Sequence, residues 1–185
     1  MRTVLTLFLS LVMMASVAGA SDLDKEKRWA DQIVDALIEG EAEWLEAGKV
    51  RFLAMSGHNR TTHGKVAAMT DTPIDILMVR YNAAHTGAER DVFPHLPAER
   101  RPGVTSYTAT RWGQLLKQRK MPPGERPLTA VECYRFVLSN PDVDLCFTGP
   151  GNEAEMNEAQ QTLEEGPMSA VELERVRRIG DHVHG

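Results

Sequence analysis

The sequence predicts an α/β chain built from four consecutive strand–helix units. Short apolar runs at residues 50–55, 74–79, 104–107 and 143–147 each end in a polar or glycine-rich stretch. A helical pattern follows each run, starting near Thr62, Glu89, Thr129 and Glu153. Strands that alternate with helices require crossover connections, and crossovers make the sheet parallel. The bulk numbers agree: 185 residues, 42% hydrophobic and 25% charged, suit one modest domain with a real core.

The elements follow in order. Arg2 gives a positive start, residues 4–17 are almost uninterruptedly apolar, and Ala18-Gly19-Ala20 is a small-residue cleavage signature. That run is shorter than a membrane span needs, so residues 1–20 read as a cleavable signal peptide with the mature chain starting at Ser21. This reading makes the protein exported, hence periplasmic, with no membrane anchor after cleavage. The competing reading is a leader joined by gene fusion or a mis-assigned start to a cytoplasmic chain. Residues 21–47 form an amphipathic helix: Trp29, Ile33, Ala36, Leu37, Trp44 and Leu45 recur at three- and four-residue spacing from Asp24 onward. Gly48 suits its C-cap. Residues 48–185 carry the four units. Thr129 and Asn152 are the residue types that cap helices. Residues 111–127, between the third strand and its helix, are basic and punctuated by Pro and Gly, as a functional surface loop would be. Residues 169–179 form a last amphipathic helix, followed by a loose tail over residues 180–184.

Composition narrows the chemistry. A formal charge of -5 argues against nucleic acid, whose binding is dominated by phosphate neutralisation. Cys133 and Cys146 are too few for a disulfide framework or a four-ligand zinc site. They read as buried structural thiols, or as one bridge if the chain is exported. Asp181, His182 and His184 lack a further fixed ligand, so no metal is expected.

Four segments bring a resemblance into view. They are Lys49-Val50-Arg51-Phe52-Leu53-Ala54-Met55-Ser56-Gly57-His58, Asp75-Ile76-Leu77-Met78-Val79-Arg80-Tyr81-Asn82, Gly103-Val104-Thr105-Ser106-Tyr107 and Val143-Asp144-Leu145-Cys146-Phe147-Thr148-Gly149. In order and spacing, over about three-quarters of the chain, they resemble the second half of the aldo/keto reductase (β/α)8 TIM barrel. The resemblance implies NAD(P)H-dependent reduction of an aldehyde or ketone, with NADP or NAD as cofactor. It implies that Ser56, with Asn59 as a shifted partner, faces the nicotinamide carboxamide, although the same residues make an ordinary turn. Met78 stands where the family often has glutamine. Tyr107 matches the aromatic residue that stacks on the nicotinamide ring. Thr108 and Gly113 match the loop that wraps the pyrophosphate, and Arg111 adds positive charge with Lys117, Arg119 and Lys120. Those four cations read equally as a solvated basic loop. Gly149 and Asn152 lie where the adenosine phosphate would meet a helix N-terminus.

Two departures qualify the resemblance. The family's proton-donating tyrosine and its Asp, Lys and His partners belong to the first half of the barrel, so no catalytic residue is assigned here. Between Arg135 and Arg175 there is no Lys or Arg, against nine carboxylates, an adverse field for a 2′-phosphate. Three readings follow: a reductase part inactive alone, a nucleotide-binding or barrel-completing non-enzymatic subunit, or an exported protein of another role. A half-barrel leaves two open strand edges and exposed apolar surface, which predicts pairing with itself as a homo-oligomer, pairing with a missing half, or poor folding.

Overall fold

A computed structural model describes residues 47–69 and 71–184. The expected signal peptide and nearly all of the expected N-terminal helix lie outside those residues. The elements are β1 (Leu53–Ser56), α1 (Arg60–Ala68), β2 (Ile74–Arg80), α2 (Ala88–Asp91), β3 (Gly103–Tyr107), α3 (Ala130–Leu138), β4 (Leu145–Cys146), α4 (Glu153–Glu165) and α5 (Ala170–His184). Short 3₁₀ turns occupy Phe93–His95, Gln114–Leu116 and Gln118–Lys120. The parallel strands run β1-β2-β3-β4 across the sheet, so each crossover returns beside its predecessor. Among the described residues no helix is long and apolar enough to cross a membrane.

The described residues divide into two compact units, the first comprising residues 47–77, without 70, together with Asp91–Pro102. In it, β1 opens where the Leu53 amide donates to the Asp75 carboxylate at 3.0 Å. Asn59 caps α1 by accepting from the Thr62 amide at 3.2 Å. The helix buries His63, Val66 and Ala67, and Gly64 lies so close to the Asp91 carbonyl that a Cβ would sit 2.1 Å from it. Arg60 pairs with Asp91 at 2.9 Å on the same side.

The second unit comprises Met78–Arg90 and residues 103–184. Its core stacks Tyr81 on Phe136 with ring centroids 5.7 Å apart, among buried Val104, Leu115, Val137, Val176 and Ile179. The Tyr81 hydroxyl donates to Glu89, accepts from Asn140 at 3.1 Å, and Glu89 holds Arg177 at 2.7 Å. A buried phenol thereby keeps every polar partner it needs. Thr129 and Glu132 form a reciprocal capping box at the start of α3.

Four expectations change in detail. The first strand begins at Leu53 rather than at residue 50, because Arg51 and Phe52 are exposed to solvent. The helix after β2 is a single turn, followed by a 3₁₀ turn at Phe93–His95, because Pro94 has no amide to continue a helix. The fourth strand pairs only through Thr105↔Leu145 and Ser106↔Cys146. The loose tail is helix: α5 continues through Gly180 to His184. Glycine usually signals a helix end, yet here a Cβ at Gly180 would sit 2.0 Å from the Ala83 carbonyl oxygen. Close helix approach, not helix termination, is what this glycine serves.

Candidate functional site

The segment following β3 is the most constrained loop of the second unit. Ser106 is fully buried, and its hydroxyl donates to the Tyr81 carbonyl at 2.8 Å. Tyr107 follows, half-buried at the strand end. Burial pushes its phenol above the ordinary value, with the nearby positive charge of Arg80 acting the other way. Its aromatic face thus sits at the strand terminus while its hydroxyl stays protonated.

Beyond Tyr107 the backbone turns left-handed four times: Thr108 (φ 60°), Arg111 (φ 51°), Trp112 (φ 50°) and Gly113 (φ 73°). Each non-glycine residue in that region costs on the order of 1 kcal/mol or more. Tertiary contacts hold the loop against that cost. The fully buried Asn82 donates its side-chain amide to the Thr108 carbonyl at 2.8 Å and accepts from the Ala84 amide at 3.0 Å. Leu115 is fully buried, and its carbonyl accepts from the Leu128 amide at 3.1 Å. Arg111 donates to the carbonyls of Val183 and His184 at the end of α5. The Gly113 amide donates to the Thr110 hydroxyl at 3.2 Å, and a Cβ at this residue would meet nothing, so the position asks for glycine through its φ alone.

The segment after β4 is arranged differently. The Phe147 amide donates to the Ser106 carbonyl at 2.8 Å, and the Thr148 hydroxyl donates to Tyr134 at 2.7 Å. Gly149 is exposed and its α-carbon is uncrowded. Asn152 is exposed and caps α4, accepting from the Glu155 amide at 3.0 Å. Glu155 turns back to accept from the Gly151 amide at 2.7 Å. A carboxylate therefore already occupies amide donors that an incoming phosphate would use.

In the first unit, Ser56 ends β1 half-buried, with no side-chain hydrogen bond among the described residues. Asn59 is exposed, and its side-chain oxygen is committed to the α1 cap. Its carbonyl accepts from the His63 ring at 2.9 Å. Met78 is half-buried within β2.

Tyr107, Thr108, Arg111 and Gly113 thus share one pinned loop, Gly149 and Asn152 flank a separate helix cap, and Ser56 and Asn59 belong to the other unit. Sequence reasoning missed two features. Asn82, to which the sequence reading gave no site role, is the anchor of the left-handed loop. Arg111 finds its partners 72 and 73 residues away, a distance that no local pattern exposes. Both thiols are free. Burial raises the Cys133 thiol well above its usual range and pushes that of Cys146 up to about 12, so neither is set up as a nucleophile. A depression of about 520 Å³ lies on the outer face of α5 beside Leu173 and Arg177, touching none of the residues above.

No protein-family model matches the chain, and no curated protein matches it. Solved structures do. Aldo-keto reductase AKR11C1 from Bacillus halodurans, in its holo form, superposes with a TM-score of 0.63 at 16% identity, over 79% of this chain and 56% of that one. A thermostable aldo-keto reductase, Tm1743, bound to the inhibitor epalrestat, gives 0.56 at 17% identity over 77% and 53%. A putative 2,5-diketo-D-gluconic acid reductase B gives 0.52 at 23% identity over 79% and 50%. The chain spans about half the length of the structures it matches. At these identities the likeness is one of fold: the four units have the architecture of part of an aldo-keto reductase (β/α)8 barrel.

Proposed function

We propose that the chain is the cofactor-holding second half of an aldo/keto reductase-type barrel, whose parent activity is NAD(P)H-dependent reduction of an aldehyde or ketone. The observation that carries this reading is the loop Tyr107 to Gly113. A half-buried aromatic residue at a strand terminus, followed by a backbone held in four left-handed conformations, is costly to build. Strain of this kind concentrates where a ligand is gripped. In a barrel of this type ligands meet the loops after the C-terminal strand ends, which is where this loop lies. Tyr107 supplies a flat face for a nicotinamide ring, and the guanidinium of Arg111 supplies positive charge on the diphosphate side.

NADH is the better fit of the two cofactors. The segment after β4 offers the adenosine end no cation, and Glu155 already accepts from the Gly151 amide and the Asn152 side chain. A 2′-phosphate would meet negative charge instead.

Alone, the chain is proposed to be inactive as a reductase. Hydride transfer to a carbonyl needs a proton donor within hydrogen-bond reach. Tyr81 is sealed between Glu89 and Asn140, Tyr134 is held by Thr148, and Tyr107 is assigned to stacking. The test is a titration of the folded chain with NADH and NADPH, followed by tryptophan fluorescence. Trp112 sits in the loop itself and is exposed, so saturable quenching is expected, tighter for NADH. Absence of saturation with both cofactors would overturn the reading, and turnover of an aldehyde by the chain alone would overturn its inactivity.

A further inference from the structure

Among the described residues, β1 and β4 are the end strands of the sheet, each hydrogen-bonded to a neighbour on one side only. The two ends carry opposite charge. Residues 47–69, which contain β1 and α1, have four cations and no carboxylate. Residues 142–165, which contain β4 and α4, have seven carboxylates and no Lys or Arg. The chain's net charge of -5 is therefore not spread evenly but separated by sign between the two ends.

Each end also exposes apolar side chains. At the β1 end Phe52 is 62% exposed, and the Arg51 guanidinium lies 5.7 Å from its ring centroid, so cation and apolar surface coincide. Lys49, before β1, and Lys65, in α1, are exposed as well. At the β4 end Leu145 and Phe147 are exposed on the strand itself. The helix α4 is 13 residues long, yet Thr162 is its one buried residue. Met156 and Leu163 stand two turns apart on one exposed face of this helix, and helical spacing puts Glu153 and Glu164 beside them. The acidic end thus combines an open strand edge with an uncovered apolar stripe.

We propose that the β4/α4 end of one chain docks on the β1/α1 end of a second copy of this chain, and that two copies close a dimer through two equivalent contacts. Main-chain hydrogen bonds continue the sheet from β4 to the second copy's β1, satisfying both open edges. Burial of the exposed apolar side chains supplies affinity, and the charges choose the face. Pairing β4 with β4 would set acid against acid, which disfavours that arrangement. The occupant is a second copy, not an unrelated chain, because the complement of the acidic end is present on the same sequence. Two copies also supply the eight strands that a (β/α)8 barrel needs. The docking stands on the fold and the charge pattern, independently of the cofactor reading.

The test is carbodiimide cross-linking of the full 185-residue chain, mixed from unlabelled and heavy-nitrogen stocks so that links between copies carry both labels. Links are expected from Lys49 or Lys65 of one copy to Glu153 or Glu164 of the other, in a species that sediments as a dimer. Charge reversal probes the same contact by a second route. Glu153→Lys with Glu164→Lys, or Lys49→Glu with Arg51→Glu, should each weaken dimerisation about tenfold or more. All four positions are exposed, so the variants keep the fold. Combining the four changes in one chain should restore the native affinity to within about threefold. A native chain that sediments as a monomer, a dimer whose cross-links lie elsewhere, or a combined variant as weak as its parents would overturn the docking.

Discussion

Asn82 shows how much of the site depends on one side chain that carries no charge. It is fully buried, and its amide connects the turn after β2 to the first left-handed residue of the loop after β3. Removing it strands the Thr108 carbonyl and the Ala84 amide. Asn82→Ala is therefore expected to lose about 2–3 kcal/mol of stability in urea denaturation, from lost hydrogen bonds and desolvated partners. A loss under about 0.5 kcal/mol would mean that the loop is held by other contacts. Tyr107 makes the complementary case. Its place at a strand end was legible in the sequence, because the apolar run before it reads as a strand, whereas its stacking role is what the resemblance implies. Tyr107→Phe should keep NADH affinity within about threefold, while Tyr107→Ala should weaken it about tenfold, since stacking needs the ring and not the hydroxyl. Equal losses in both variants would assign the phenol a different task. Asn82 was less legible, since the sequence cannot show where its amide points.

At the scale of elements, strand–helix alternation and the capping residues were readable, and α3 and α4 start beside Thr129 and Asn152 as their caps require. Element ends were not. Residues 180–184 read as a loose tail, whereas α5 runs through Gly180, whose missing Cβ leaves room for the Ala83 carbonyl. Gly180→Ala should thus destabilise by about 1–3 kcal/mol or more, the range for overpacking against rigid backbone. A neutral or stabilising outcome would show that α5 can shift away. The junction between α3 and α5 titrates. Arg135, together with the amide and hydroxyl of Ser169, holds the Glu172 carboxyl down to about 2, from an ordinary 4.5. A depressed carboxylate contributes stability that is complete above pH 4.5 and lost as pH falls towards 2. The stability gap between the native chain and Glu172→Gln should therefore be constant from pH 7 to about pH 5 and shrink below it. A gap that stays constant down to pH 2.5 would sink this account of the junction.

For the whole molecule, the four-unit order was legible because each unit repeats one local theme, and the solved structures share that architecture. The extent of each strand was not, because pairing depends on neighbours distant in sequence. β4 is the consequence: two paired residues at the end of the sheet, with Leu145 47% exposed and Phe147 43% exposed beside them. An edge of this kind, with exposed apolar side chains, favours association. Light scattering behind a sizing column should find the chain larger than its 20.6 kDa monomer, with Leu145→Lys shifting it towards the monomer. A strictly monomeric native chain at micromolar concentration would contradict self-pairing through this edge.

The central claim is that the loop after β3 still grips a nicotinamide cofactor. The most direct measurement is a crystal structure of the chain grown with NADH. The nicotinamide ring is expected stacked on Tyr107, with the diphosphate against residues 108–113. A folded chain with that loop empty at saturating NADH, or with the cofactor bound away from Tyr107, would contradict it.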